Sequence, residues 1–173
     1  LEAEKDQIEN ELKELKKCRF IQTLGVGYDG IDLDASSELG IGTINLGNYC
    51  AEELAEHAMA LILACARWVV GLHYRVKRGN PVPPASRDAW GRMSTLKGKT
   101  LGIIGLGTSG RAMGPKAKGF KMQIMAYDPY VSQSLFQDLD VQNPGFDKLI
   151  SDSDIVTIHA NLTSETRHMI GME

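Results

Sequence analysis

Gly105-Leu106-Gly107-Thr108-Ser109-Gly110 decides how this chain is read, because of what flanks it. Thr100-Leu101-Gly102-Ile103-Ile104 comes before it, a short apolar run of the kind that forms a buried parallel strand. A helical stretch follows, then a second apolar run, Met122-Gln123-Ile124-Met125-Ala126-Tyr127, which ends in Asp128. Asp128 lies 18 residues past Gly110, close to the ~20-residue distance of a dinucleotide fingerprint. A lone GxGxxG says little. Strand, glycine loop, helix, strand and acid in this order predict a Rossmann-type α/β domain that binds a dinucleotide.

Each part has a physical task. Gly105 permits the tight strand-to-helix turn, Gly107 lets backbone approach a diphosphate, and Gly110 lets the helix pack close to the strand. Free N–H groups and the positive end of the helix dipole then face the phosphates. Asp128 accepts hydrogen bonds from the adenosine ribose hydroxyls. A 2′-phosphate would meet an unpaired carboxylate there, so the predicted cofactor is NAD and not NADP.

Composition sets outer bounds. The 173 residues are 43% hydrophobic and 24% charged, ordinary values for a globular protein. The formal net charge of -3 gives no electrostatic reason to expect nucleic acid. Lys97, Lys99, Lys116, Lys118 and Lys121 gather in one region and read as a solvated face. Cys18, Cys50 and Cys65 lack metal-ligand or redox-motif spacing, so they read as reduced thiols with no metal. The charged N-terminus is unlike a signal peptide. Ala58–Leu72 is apolar except for Arg67, too short for a membrane span of ~20 residues. A cytoplasmic location without membrane contact is the expectation.

Elsewhere the pattern alternates. Glu2–Lys17 reads as a helix with acids first and lysines last. Arg19–Leu24 reads as a strand entering a second glycine loop, Gly25-Val26-Gly27-Tyr28-Asp29-Gly30. A helix over Leu33–Leu39, ended by Gly40, and a strand over Gly42–Leu46 complete a parallel βαβ unit. Cys50–Arg78 reads as one long helix, apolar nearly all round in its middle and hence buried between layers. Gly79–Lys99, with Pro81, Pro83 and Pro84, is a long connection that Trp90 would anchor. Beyond Asp128, short helices are expected at Ser132–Asp138 and Phe146–Ile150. A brief strand is expected near Val141, a fourth strand at Ile155–His159, and a further helix over Leu162–Ile170. Met59, Met113, Met122 and Met125 read as adaptable core filling.

These pieces together resemble the D-isomer-specific 2-hydroxyacid dehydrogenases. The resemblance runs from about Lys17 onward. It rests on Gly25–Asp29, Ala55-Glu56-His57 with Arg67, Leu96–Ile103, the Gly105–Gly110 loop, Tyr127-Asp128-Pro129, Ser153-Asp154, and His159 through Leu162-Thr163. Tyr127-Asp128-Pro129-Tyr130 and Asn48-Tyr49-Cys50 look closest to a branch that includes the C-terminal-binding-protein corepressors. The resemblance implies two α/β domains with an active cleft between them. Residues 1–48 would be part of a flavodoxin-like substrate-binding domain. Residues 49–173 would be part of the NAD-binding domain, with an inter-domain helix over about 50–78. Amides of Val26 and Gly27 would bind a substrate carboxylate, with Val26 also near the nicotinamide. Leu106, Thr108 and Ser109 would border the diphosphate. Ala160, Asn161 and Thr166 would line the adenine side or the nicotinamide ribose.

The implied activity is NAD-dependent interconversion of a small D-2-hydroxy acid and its 2-oxo acid, in a homodimer. An NAD-sensing corepressor-like interaction protein is the alternative. In that family an Arg holds the 2-oxo acid and a His, oriented by a Glu, moves the proton. The resemblance places all three after residue 173, so no catalytic residue is assigned among His57, His73, His159 and His168, and the chain is expected to be an internal portion of a larger enzyme. Three departures stand out. Thr108-Ser109 replaces an Arg-Ile pair, removing one charge-assisted phosphate contact. Gly114-Pro115 predicts a kink or early break in the helix after the loop. Asn161 stands where relatives usually carry Pro.

Overall fold

The computed structural model describes residues 12–28, 30–80 and 93–171. The chain divides into two compact units, Cys50–Ala160 and a smaller one made of Leu1–Tyr49 with Asn161–Glu173.

In the smaller unit, β1 (Phe20–Gln22) pairs in parallel with β2 (Gly42–Ile44), with Ile21 opposite Thr43. The crossover is α1 (Leu33–Glu38). Asp32 caps it by accepting the Ala35 N–H at 2.9 Å, which satisfies one of the donors a helix start leaves open. This is the expected βαβ unit. Among the described residues its buried apolar side chains are few: Leu12, Ala35 and Ile41. The helix expected over Leu162–Ile170 does not form; residues 164–170 are turns and bends. Thr166 supplies the reason. Its Oγ1 donates to the Asn161 carbonyl at 2.6 Å, so a side chain takes the acceptor that would open the helix, and it also accepts the Thr163 N–H at 2.8 Å. Residues 161–173 group by their contacts with the smaller unit.

The larger unit opens with α2 (Ala51–Ala66) and α3 (Val69–Lys77). They correct the expectation of one long helix over Cys50–Arg78. The two are bent by 61°, and Trp68 between them is left-handed at φ 51. A Cβ on Gly71 would lie 2.1 Å from Trp68 Cε2, so the indole lies against the glycine of the next turn. Nor is this region buried throughout: α2 buries Ala55, Met59 and Ala66, and α3 buries no residue. Among the described residues no single helix is long and apolar enough to cross a membrane.

A parallel sheet follows, with β3 (Thr100–Ile104) between β4 (Gln123–Tyr127) and β5 (Ile155–Ile158). Gln142 forms an isolated parallel bridge to Met125 on the outer side of β4, the short strand expected near Val141. Counted along the chain, the order is third, second, first, fourth, the arrangement of a dinucleotide-binding half-sheet. Leu101, Ile103, Ile104, Ile124, Met125 and Ala126 are buried, which explains the unbroken apolar runs.

On this sheet sit α4 (Thr108–Gly119), α5 (Gln133–Asp138) and α6 (Phe146–Asp152). α4 packs against α2 and against the sheet. It runs through Pro115 without the expected break. The missing proline N–H costs about 3 kcal/mol in a helix interior. Burial of Met113 and Ala117, both 0% exposed, returns a comparable amount at about 1.5–3 kcal/mol for a Met-sized side chain. Gly102 is required by close packing, since a Cβ there would lie 2.7 Å from Leu149 Cδ2 on α6. Met59, Met113, Met122 and Met125 are all buried. The lysine face is solvated as expected, with Lys97, Lys118 and Lys121 exposed, and it carries surface ion pairs of Lys99 with Asp154, Lys116 with Glu52 and Lys118 with Asp140. Trp90, and the part of the predicted Glu2–Lys17 helix before residue 12, lie outside the described residues.

Candidate functional site

The site is built where β3 ends. The Gly105 N–H donates to the Tyr127 carbonyl at 2.8 Å, carrying the ladder one residue past the strand. The chain then turns sharply, with Gly105 at φ +91. A Cβ at Gly105 would lie 2.7 Å from the Ala160 backbone nitrogen, and one at Gly110 would lie 2.0 Å from the Gly105 carbonyl oxygen. Both glycines are therefore fixed by backbone packed against backbone.

Gly107 is different. Its φ of -63 suits any residue, and a Cβ there would meet nothing within 4 Å. It caps α4 without a side-chain hydrogen bond. An open approach to an uncapped helix start is what a diphosphate needs: room next to backbone, and the positive end of a 12-residue helix.

Asp128 is turned toward this loop. Its Oδ2 accepts the Leu106 N–H at 2.8 Å, and its Oδ1 accepts the Tyr130 N–H at 2.9 Å. An ionised carboxylate has about four acceptor positions, so each oxygen keeps capacity for a ribose hydroxyl. The bond to Leu106 ties the acid at the end of β4 to the glycine loop. Loop, helix start and acid thus form one rigid group, and these residues fit a dinucleotide.

His159 completes the group. Its N–H of the backbone donates to the Ile104 carbonyl at 2.7 Å, extending β5 beside the loop. Its ring Nδ1 lies 3.1 Å from Ser109 Oγ, and Nε2 lies 3.0 Å from Thr157 Oγ1. The ring is half-buried, and that burial holds its pKa below the ordinary histidine value. The sequence reading ended the fourth strand at His159 but did not find its two hydroxyl partners. A serine in place of an apolar residue on the first turn of α4 was the available signal.

Of the predicted site residues, Gly105, Leu106, Gly107, Ser109, Gly110, Asp128 and Ala160 come together here. Thr108 opens α4 and is exposed. Asn161 and Thr166 belong to the smaller unit, where the Thr166 hydroxyl serves the local turn. Val26 and Gly27 also lie in that unit. The Asn45 amide donates to the Val26 carbonyl at 2.9 Å, and the Thr23 hydroxyl donates to the Gly25 carbonyl at 2.8 Å. The loop's carbonyls at residues 25 and 26 are thus held by side chains, and Gly27 is exposed. Among the described residues no cluster of three His, Cys, Asp or Glu side chains could hold a metal ion.

Comparison with known proteins bears on this arrangement. Residues 59–173 match the D-isomer specific 2-hydroxyacid dehydrogenase, NAD binding domain. The chain is 38% identical to a glyoxylate reductase of Korarchaeum cryptofilum over 161 residues, covering 91% of this chain and 47% of that protein. It is 37% identical to a hydroxypyruvate reductase of Thermotoga maritima, covering 91% and 49%. It superimposes with a TM-score of 0.85 on the crystal structure of a D-lactate dehydrogenase of Aquifex aeolicus complexed with NAD and lactic acid, at 30% identity, covering 94% of this chain and 47% of that one. The chain spans about half the length of these two reductases. Fold, glycine loop, acid and match agree: the chain belongs to the D-isomer-specific 2-hydroxyacid dehydrogenase family and carries its NAD binding domain.

Proposed function

We propose that the protein containing this chain transfers hydride between NAD and a small acid, interconverting a D-2-hydroxy acid and its 2-oxo acid. One observation carries the proposal: the Asp128 carboxylate bonded to the Leu106 N–H, beside an uncapped α4 and an open Gly107. That group has a place for a diphosphate and a carboxylate for its ribose. NAD supplies the hydride chemistry. The chain's residues bind and orient it: amides at the start of α4 for the diphosphate, Asp128 for the ribose, and Ala160, Asn161 and Thr166 along the rest. Val26 and Gly27 offer amides to the acid's carboxylate. The named relatives, which reduce glyoxylate and hydroxypyruvate, support this substrate class.

The same proposal includes a homodimer in the cytoplasm. Exposed Leu61, Val70, Tyr74 and Val76 on α2 and α3 support the first, and three free cysteines support the second. The test is NADH oxidation by the full-length protein with glyoxylate, pyruvate and hydroxypyruvate. Turnover with one of them is expected, with NADPH much poorer. NADH binding without oxidation of any 2-oxo acid would favour an NAD-sensing interaction protein instead.

A further inference from the structure

The dinucleotide reading leaves one contact of the glycine loop unused. His159 Nδ1 faces Ser109 Oγ on the first turn of α4 at 3.1 Å, while Nε2 faces Thr157 Oγ1 on β5 at 3.0 Å. Half-burial lowers the ring's pKa, so at pH 7 it is neutral and carries one proton. Two arrangements satisfy both contacts. With the proton on Nε2, the ring donates to Thr157 and Ser109 must donate to Nδ1. The Ser109 hydroxyl is then used up. With the proton on Nδ1, the ring donates to Ser109 Oγ and Thr157 donates to Nε2. The Ser109 O–H is then left to donate elsewhere.

Ser109 sits one residue into a helix whose start faces open space at Gly107. A diphosphate there offers only acceptors, so it favours the arrangement that leaves the serine a donor. We propose that His159 is a positioning residue for the dinucleotide: with its proton on Nδ1 it turns the Ser109 hydroxyl into a donor to the diphosphate, and Thr157 fixes the ring from behind. This rests on the reading of residues 105–110 as the diphosphate loop. It gives Thr108-Ser109 a neutral donor where the Arg-Ile pair of the family would bring a charge. Ser109 and His159 are 50 positions apart and meet only through the order of β3 and β5.

The test is NMR of the full-length protein with 15N-labelled histidine, alongside NADH titration by fluorescence. In the NADH-saturated protein the His159 proton is expected on Nδ1. Ser109→Ala is expected to remove that preference and raise the NADH Kd about tenfold, as the loss of a hydrogen bond to a charged group does. Thr157→Val is expected to raise the Kd less, about threefold, with Thr157→Ser restoring it. A His159 proton on Nε2 in the saturated protein, or an unchanged Kd in Ser109→Ala, would overturn the proposal while NADH binding stood. Failure of the wild-type protein to bind NADH would overturn the diphosphate loop itself, and this proposal with it.

Discussion

The chain has two glycine-rich loops, each following a parallel strand, and their glycines answer different demands. In Gly105–Gly110 the turn is left-handed at its first glycine, and side-chain atoms at Gly105 or Gly110 would collide with backbone. Around it stand fully buried side chains from the sheet and its helices, including Leu101, Ile103, Ile104, Leu106, Met113 and Leu149. In the loop after β1, Gly25 has no left-handed backbone and nothing within 4 Å of where a Cβ would stand. Side chains of Thr23 and Asn45 hold that loop by its carbonyls. One spelling therefore covers two physical states, a loop made rigid by packing and a loop braced by polar side chains.

Substitution separates the two most sharply. Gly110→Ala places a methyl 2.0 Å from a backbone oxygen and is expected to destabilise by about 3 kcal/mol. Gly25→Ala meets no obstacle and is expected to stabilise by about 0.4–1 kcal/mol through the unfolded chain. Chemical denaturation compares them, and equal effects would erase the distinction. Within the rigid loop, Asp128→Asn keeps the shape and removes the charge. Its preference for NADH over NADPH, read from the two Kd values, is expected to fall about tenfold. Gly107→Ala tests what the open glycine is for. Stability should fall by only about 0.5–1 kcal/mol, since alanine is a poorer N-cap than glycine, yet the NADH Kd should rise about tenfold as the methyl takes the diphosphate's place. An unchanged Kd there would mean that the space has no occupant.

The smallest expected effect is in pH. Burial lowers the His159 pKa in the folded protein, so the unfolded state binds the proton more readily. The resulting stability is fully present above the unfolded value of about 6.5 and is lost as pH falls below it toward the folded value. Melting temperatures should therefore drop below about pH 6.5, and His159→Asn should flatten that slope. A slope unchanged in the variant would assign it to other groups.

Local signals in the sequence were reliable where the structure is local. The apolar run before Gly105, the glycine spacing and the acid after β4 each report a requirement met within a few residues. The long helix misled because apolar periodicity does not register a single left-handed residue such as Trp68. Thr163 and Thr166 misled because their hydroxyls compete with helix hydrogen bonds only in one backbone geometry. Pro115 predicted a break that burial of its helix prevents. The lysines are solvated as read, but their surface ion pairs were not legible because the partners, Glu52, Asp140 and Asp154, lie 64, 22 and 55 positions away.

The sequence by itself determined that this is a parallel α/β protein with a dinucleotide loop, since strand periodicity, glycine geometry and the acid are properties of short segments. Only the tertiary structure decided that Asp128 bonds to Leu106, that His159 stands between Ser109 and Thr157, and that α2 and α3 part at Trp68. Those contacts join residues distant in the chain or turn on one backbone angle. Packing sets both, and no local pattern encodes them.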